Sequence, residues 1–218
     1  MTWRQVLDLF DVLDQPSADG AAAAAALRAA GVEEVAVTRA STDAGHTDFL
    51  RATIPGYDGR ISGGRCPTLG VIGRLGGLGA RPARIGFVSD GDGALAVLAV
   101  AAKLGSMHRA GDRLPGDVIV ATHICPAAPT IPHDPVPFMG SPVDVATMNR
   151  HEVDEAMEAI LSVDTTRGNR VCNQAGFAIS PTVRQGWVLR VSEDLLDLQQ
   201  QVTGRLPVVL PITTQDIQ

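Results

Sequence analysis

Three apolar runs in this chain each end in polar residues able to bind a ligand, and that repetition constrains the fold most. Arg84-Ile85-Gly86-Phe87-Val88 leads into Ser89-Asp90-Gly91-Asp92-Gly93 and then a long apolar segment from Leu95 to Leu104. Asp117-Val118-Ile119-Val120-Ala121-Thr122 leads into His123-Ile124-Cys125-Pro126, and Ala159-Ile160-Leu161-Ser162-Val163 into Asp164-Thr165-Thr166. The first reads as strand, acidic turn and helix. The other two read as buried strands. Open α/β sheets bind ligands in the crevice beyond the carboxyl ends of their strands. The pattern therefore predicts an α/β protein with one shared site at that rim.

The chemistry expected there follows from the residue types. Carboxylates gathered in one place repel each other, so they share a cation, a proton or a cationic substrate. Asp90 and Asp92 are set among glycines, which allow a sharp turn and leave access open. Either could instead cap the helix that follows. Strand alternation puts His123 and Cys125 on one side, and both residue types ligate metals or act as base or nucleophile. The segment from Pro126 to Pro142 holds six prolines and reads as a stiff loop walling the site. It also brings His133 and Asp134.

The chain of 218 residues can bury a core as one domain, and no linker or repeat divides residues 1–218. Its net charge of −6 argues against a nucleic-acid partner. No apolar run is long enough to span a bilayer, and the first residues show no signal-peptide pattern, so a cytoplasmic setting is expected. Cys66, Cys125 and Cys172 lack a pairing pattern. Lys103 is the only lysine, which disfavours lysine-dependent chemistry. Helices are read over residues 3–14, 21–30 (capped by Asp19, stopped by Gly31), 94–107, 143–157 and 193–202. Strands are read over 34–40, 48–55, 68–72, 177–182, 187–191 and 206–212. Gly73-Arg74-Leu75-Gly76-Gly77-Leu78-Gly79-Ala80 carries four glycines in seven residues but not the dinucleotide-binding spacing. A strand at 206–212 followed by so few residues suggests a chain cut short at its C-terminal end, with an exposed apolar face that would favour self-association.

The stretches from Pro67 to Gly93, Leu114 to Val120, Thr122 to Pro126, Val136 to Asp144, Ser162 to Thr166 and Arg205 to Asp216 resemble an uncharacterised bacterial and archaeal family, domain of unknown function 1177. Its members are longer. The order of elements also resembles the zinc aminopeptidase and carboxypeptidase clan. That resemblance implies a three-layer αβα fold with a mostly parallel, mixed central sheet and a divalent metal, zinc first. In that clan an Asp between strand and helix bridges a pair of metal ions. Asp90 or Asp92 stands at that place, and Asp164 at the place of a later acidic ligand. Where the clan carries His-x-Asp, this chain reads Gly73-Arg74-Leu75-Gly76. Where it carries Glu-Glu, this chain reads Thr122-His123-Ile124-Cys125.

The reading taken forward is a metal-dependent hydrolase of a small peptide or amide. Asp90, Asp92, His123 and Asp164 would be metal ligands, and Asp92 or His133 would take the proton. The alternatives are a non-catalytic ligand-binding or assembly protein on a degenerate peptidase fold, a cysteine-dependent amidase or racemase using Cys125, and a phosphatase of the haloacid dehalogenase type. Expected partners are a small-molecule or short-peptide substrate and a second copy of the chain, with no nucleic acid and no membrane.

Overall fold

A computed structural model describes residues 2–74, 91–126, 128–132, 134, 138–165, 170, 173–184 and 187–210. The expected strand at 84–88, Asp90, the glycines at 76–79, His133 and Cys172 lie outside the described residues. The residues group into two compact units, Met1–Thr165 and Thr166–Gln218.

The first unit is built on a five-stranded mixed sheet in the order β1-β2-β4-β3-β7. These strands are β1 (Glu34–Thr42), β2 (Gly45–Ile54), β3 (Leu69–Gly73), β4 (Val118–Ile124) and β7 (Ala159–Val163). β1, β2 and β4 pair antiparallel, whereas β3 runs parallel to both β4 and β7. Alternation sorts the side chains. Leu50, Ala52, Val71, Val118 and Val120 enter the main core with Leu27, Val97 and Leu98. That face is covered by α1 (Thr2–Leu13), α2 (Gly20–Ala30) and α3 (Asp92–Arg109). The other face takes Ile72, Ile119, Ala121 and Met157 in one cluster, and Phe49, Val143 and Met148 in another. There α4 (Val145–Glu152) lies against β2 and β4. The result is helix, sheet, helix.

Local chemistry sets the helix ends. Asp19 accepts from the Ala22 N–H at 2.8 Å, and Gly31 stops α2 at φ 105°. Asp144 caps α4 by accepting from the Thr147 N–H at 2.6 Å. The pairs β5 (Thr130–Ile131) with β6 (Phe138–Met139) form a small hairpin ladder within the proline-rich segment.

The second unit departs from its sequence reading. The strand expected at 177–182 is only the bridge at Ile179, with β8 (Val183–Arg184) beginning after it, and the strand expected at 187–191 reduces to β9 (Trp187–Val188). The strand expected at 206–212 is, over its described residues, a single bridge between Ile179 and Val209. Helix α5 (Glu193–Thr203) is present and stops at Gly204 (φ 67°), but the Ser192 side chain makes no capping hydrogen bond. Val183, Val188 and Val209 carry strand propensity, which does not hold a ladder without a packed face behind it.

Candidate functional site

The parallel strands β3 and β7 end level with one another, and β4 runs two residues further, to Ile124. Gly73 pairs with Thr122 on one side and with Val163 on the other. One residue further, the chain reaches Arg74, His123 and Asp164 in a single row. The Arg74 N–H donates to the Val163 carbonyl at 2.8 Å, which carries the ladder past the end of β3. Thr122 fixes the adjacent strand by donating from Oγ1 to the Gly73 carbonyl at 2.9 Å.

His123 lies inside β4 rather than beyond its end, because the strand continues to Ile124. Its ring is 4% exposed and its Nδ1 is 2.6 Å from Oε1 of Glu152. An ionised carboxylate only accepts, so Nδ1 carries the proton and Nε2 is the basic nitrogen of that tautomer. Phe49 flanks the pair, with its ring 6.0 Å from His123 and stacked on His151 at 4.3 Å. Glu152 is fully buried at the end of α4. Its Oε2 lies 3.1 Å from Arg74 Nη1, yet no N–H is aligned on that oxygen, so the contact is an ion pair without a formed hydrogen bond. Arg74 Nη2 donates to Asn149 Oδ1 at 2.5 Å. Asn149 and Glu152, three residues apart on α4, share a helix face, and both reach the carboxyl end of β3.

Asp92 opens α3 from the opposite face of the sheet. It is exposed, sits in the first helical turn rather than at the cap, and its Oδ2 accepts from Thr165 Oγ1 at 3.3 Å. The next residue, Gly93, presses the helix start onto the strand ends. A Cβ there would fall on the Arg74 carbonyl oxygen and within 2.9 Å of the Val163 carbonyl oxygen. Asp164 is exposed. Cys125 is 2% exposed and its thiol donates to the His46 carbonyl at 3.3 Å.

Of the residues picked out from the sequence, Asp92, His123 and Asp164 thus belong to strand ends or the helix start at one rim. Asp90 and His133 are outside the described residues. Arg74, Asn149 and Glu152 went unmarked in the sequence. Arg74 stood at the place of the clan's His-x-Asp, and the alternation of Gly70 and Ile72 carried one step on puts it on the same face. Glu152 was readable only as a carboxylate on the apolar side of a helix.

Among the described residues, no three His, Cys, Asp or Glu side chains gather closely enough to hold a metal ion. The carboxylate-held imidazole is the arrangement that metal-ligating histidines have. The guanidinium beside it is not, because it is always charged and repels a cation. The described donors alone do not make a metal site. No described helix is long and apolar enough to cross a membrane.

Comparison with solved structures finds this architecture in the bottromycin maturation enzyme BotP. One structure of it, in complex with Mn, matches at TM-score 0.54 and 16% identity, over 99% of this chain and 54% of that one. A second matches at TM-score 0.52 and 16% identity, over 99% and 53%. A tomato leucine aminopeptidase mutant aligns over 57% of this chain and 27% of that one, at TM-score 0.39 and 16% identity. This chain spans about half the length of the BotP structures. A search of the curated proteins finds no match. The family model described as protein of unknown function (DUF1177) matches residues 38–218, and the chain belongs to that family.

Proposed function

We propose that this chain is a hydrolase of a small peptide or amide, working at the carboxyl rim of β3, β4 and β7. The observation that carries the reading is the buried His123–Glu152 pair, level with Arg74 and Asp164 at that rim. A carboxylate that holds Nδ1–H fixes the tautomer and leaves Nε2 to take a proton or a ligand. Asp92 is the exposed carboxylate at the same rim and the second candidate for moving a proton. His133, expected from the sequence as an alternative base, stays part of the reading.

The proposal includes a divalent ion, with zinc or manganese as the candidates. Support comes from the similar BotP fold, which is described in complex with Mn. Asp92, His123 and Asp164, joined by Asp90, are the residues that would hold it. Such an ion supplies hydroxide near neutral pH. The described donors do not complete its site, so no step is assigned to it. The reading is of a cytoplasmic protein, since the spacing of Cys66, Cys125 and Cys172 shows no disulfide pattern.

A second reading, a non-catalytic binding protein on the same fold, is favoured by Arg74, a fixed positive charge in the row where cation ligands would stand. One experiment separates the two. The purified chain is loaded with Zn or Mn, dialysed, analysed for metal, and assayed on dipeptides and simple amides beside Asp92→Asn. Asp92 is exposed, so the variant should fold normally. Retained metal and turnover, both lost in the variant, support the hydrolase. A folded protein with neither metal nor turnover leaves the binding protein.

A further inference from the structure

We propose that Arg74 is the anchor for a free carboxylate on the ligand, so that this site takes small acyl amides or peptides bearing a terminal carboxylate. The inference deepens the hydrolase reading and rests on it for the substrate class.

Four observations point the same way. First, the position is central. Arg74 tops β3, which lies between β4 and β7, and it is level with His123 and Asp164. Second, the residue is fixed at its base. Its N–H is spent on the Val163 carbonyl, and its own carbonyl lies against Gly93 at the start of α3. Third, the side chain is held but not saturated. Asn149 takes one N–H at 2.5 Å. Glu152 lies close enough to balance the charge, yet its Oε2 receives no aligned N–H. A guanidinium has five N–H donors in a planar fork. Among the described residues only the one bound to Asn149 is in a formed hydrogen bond. Fourth, the Arg74 side chain is 22% exposed, while its Glu152 neighbour is 1% exposed. Glu152 therefore backs the arginine from inside, and the exposed part is what a ligand meets.

A fork with unspent N–H groups, held by an amide at one of them, is the geometry for bidentate carboxylate recognition. Burial of Glu152 explains why an arginine can be kept there without a ligand. The partial misalignment of that pair leaves the donors for an incoming anion. The same charge disfavours a cation at this place in the row.

The test compares N-acetylglycine with N-acetylglycinamide, which differ only in the carboxylate. Binding is followed by NMR titration of the whole chain, so it does not depend on turnover. The acid should bind at least about tenfold tighter than the amide, as one charge-assisted bidentate contact would give. Arg74→Gln should abolish that preference, and Arg74→Lys should reduce it. Because Arg74→Gln leaves Glu152 unbalanced, the double variant Arg74→Gln/Glu152→Gln is measured too, with circular dichroism melts to show that it folds. Equal binding of the two probes, binding of neither, or a preference kept in the folded double variant overturns the proposal. A carboxylate preference that depends on Arg74, in a protein without turnover, keeps the anchor and sinks only the hydrolase.

Discussion

Asp48 is 2% exposed and accepts from the Gly20 N–H at 3.0 Å, from Arg39 Nε at 2.6 Å and from Arg39 Nη2 at 2.9 Å. One side chain thus ties the start of α2 to β1 and β2. Burial pushes its carboxyl pKa up, but the Arg39 bonds and the Gly20 N–H outweigh burial and hold it below the ordinary 3.8. A carboxyl lowered in the folded state stabilises the fold above its unfolded pKa and loses that contribution as pH falls through the native value. Urea unfolding should therefore show a contribution that is complete above about pH 4 and fades below it. Asp48→Asn should lower stability by about 2 kcal/mol at neutral pH and flatten that acid dependence. An unchanged slope in the variant would assign the acid lability elsewhere. Glu152 gives the second test at this scale. Glu152→Ala leaves His123 and Arg74 without their buried partner and should cost about 3 kcal/mol by denaturant midpoint, with Glu152→Gln much milder. His123 itself was legible as a ligand-capable residue, because a histidine in a valine-rich strand stands out. Its partner was not, since the pair joins residues on different elements and no sequence pattern announces which carboxylate will meet it.

Helix α3 begins where β3 and β7 stop, and a glycine makes that junction. Gly73 and Gly93 face each other so closely that a Cβ on Gly73 would lie 2.5 Å from the Gly93 carbonyl oxygen. Both obstacles at Gly93 are backbone carbonyls, which cannot swing aside as a side chain can. Gly93→Ala should therefore push α3 off the strand ends, cost about 2–3 kcal/mol in thermal or urea unfolding, and disturb Asp92 with it. A neutral effect would mean that the helix start can shift at little cost. On the other face, Asp144 caps α4, and its carboxyl is held low by the Thr147 N–H. Asp144→Ala should lower the midpoint of thermal unfolding and loosen the helix that carries Asn149 and Glu152. Elements with such local punctuation were the legible ones. Asp19 and Gly31 bracket α2 as read, and the runs at 159–163 and 118–122 are strands. Less legible was where strand β4 ends. His123 reads as the first residue beyond the strand, but Glu152 satisfies it from another element, so the strand runs on to Ile124.

The two compact units differ in what they bury. In Met1–Thr165 the core includes Leu27, Val97, Leu98, Ala101, Val120 and Ile124, each with no exposed surface. Among the described residues of Thr166–Gln218, only Gln199 is buried, and its Nε2 donates to the Phe177 carbonyl at 3.3 Å. Phe177, Trp187, Val202 and Leu206 in that unit are all more than half exposed. A short unit whose described residues bury no apolar cluster has little to oppose its chain entropy. Its sequence misled for the same reason. Apolar runs at 177–182 and 206–212 promise strands, but a run becomes a strand only when a partner and a packed face are supplied. Backbone hydrogen bonds outside a core open locally, at a lower free energy than global unfolding. In native-state hydrogen exchange, the amides of α5 should therefore exchange on the order of a hundredfold or more faster than those of β2 and β4. Mild urea should shift β2 and β4 with the global transition while leaving α5 almost unaffected. If α5 instead shows the same protection and the same urea slope as β4, the two units unfold as one, and the stability of the second unit has a source that its own burial does not supply.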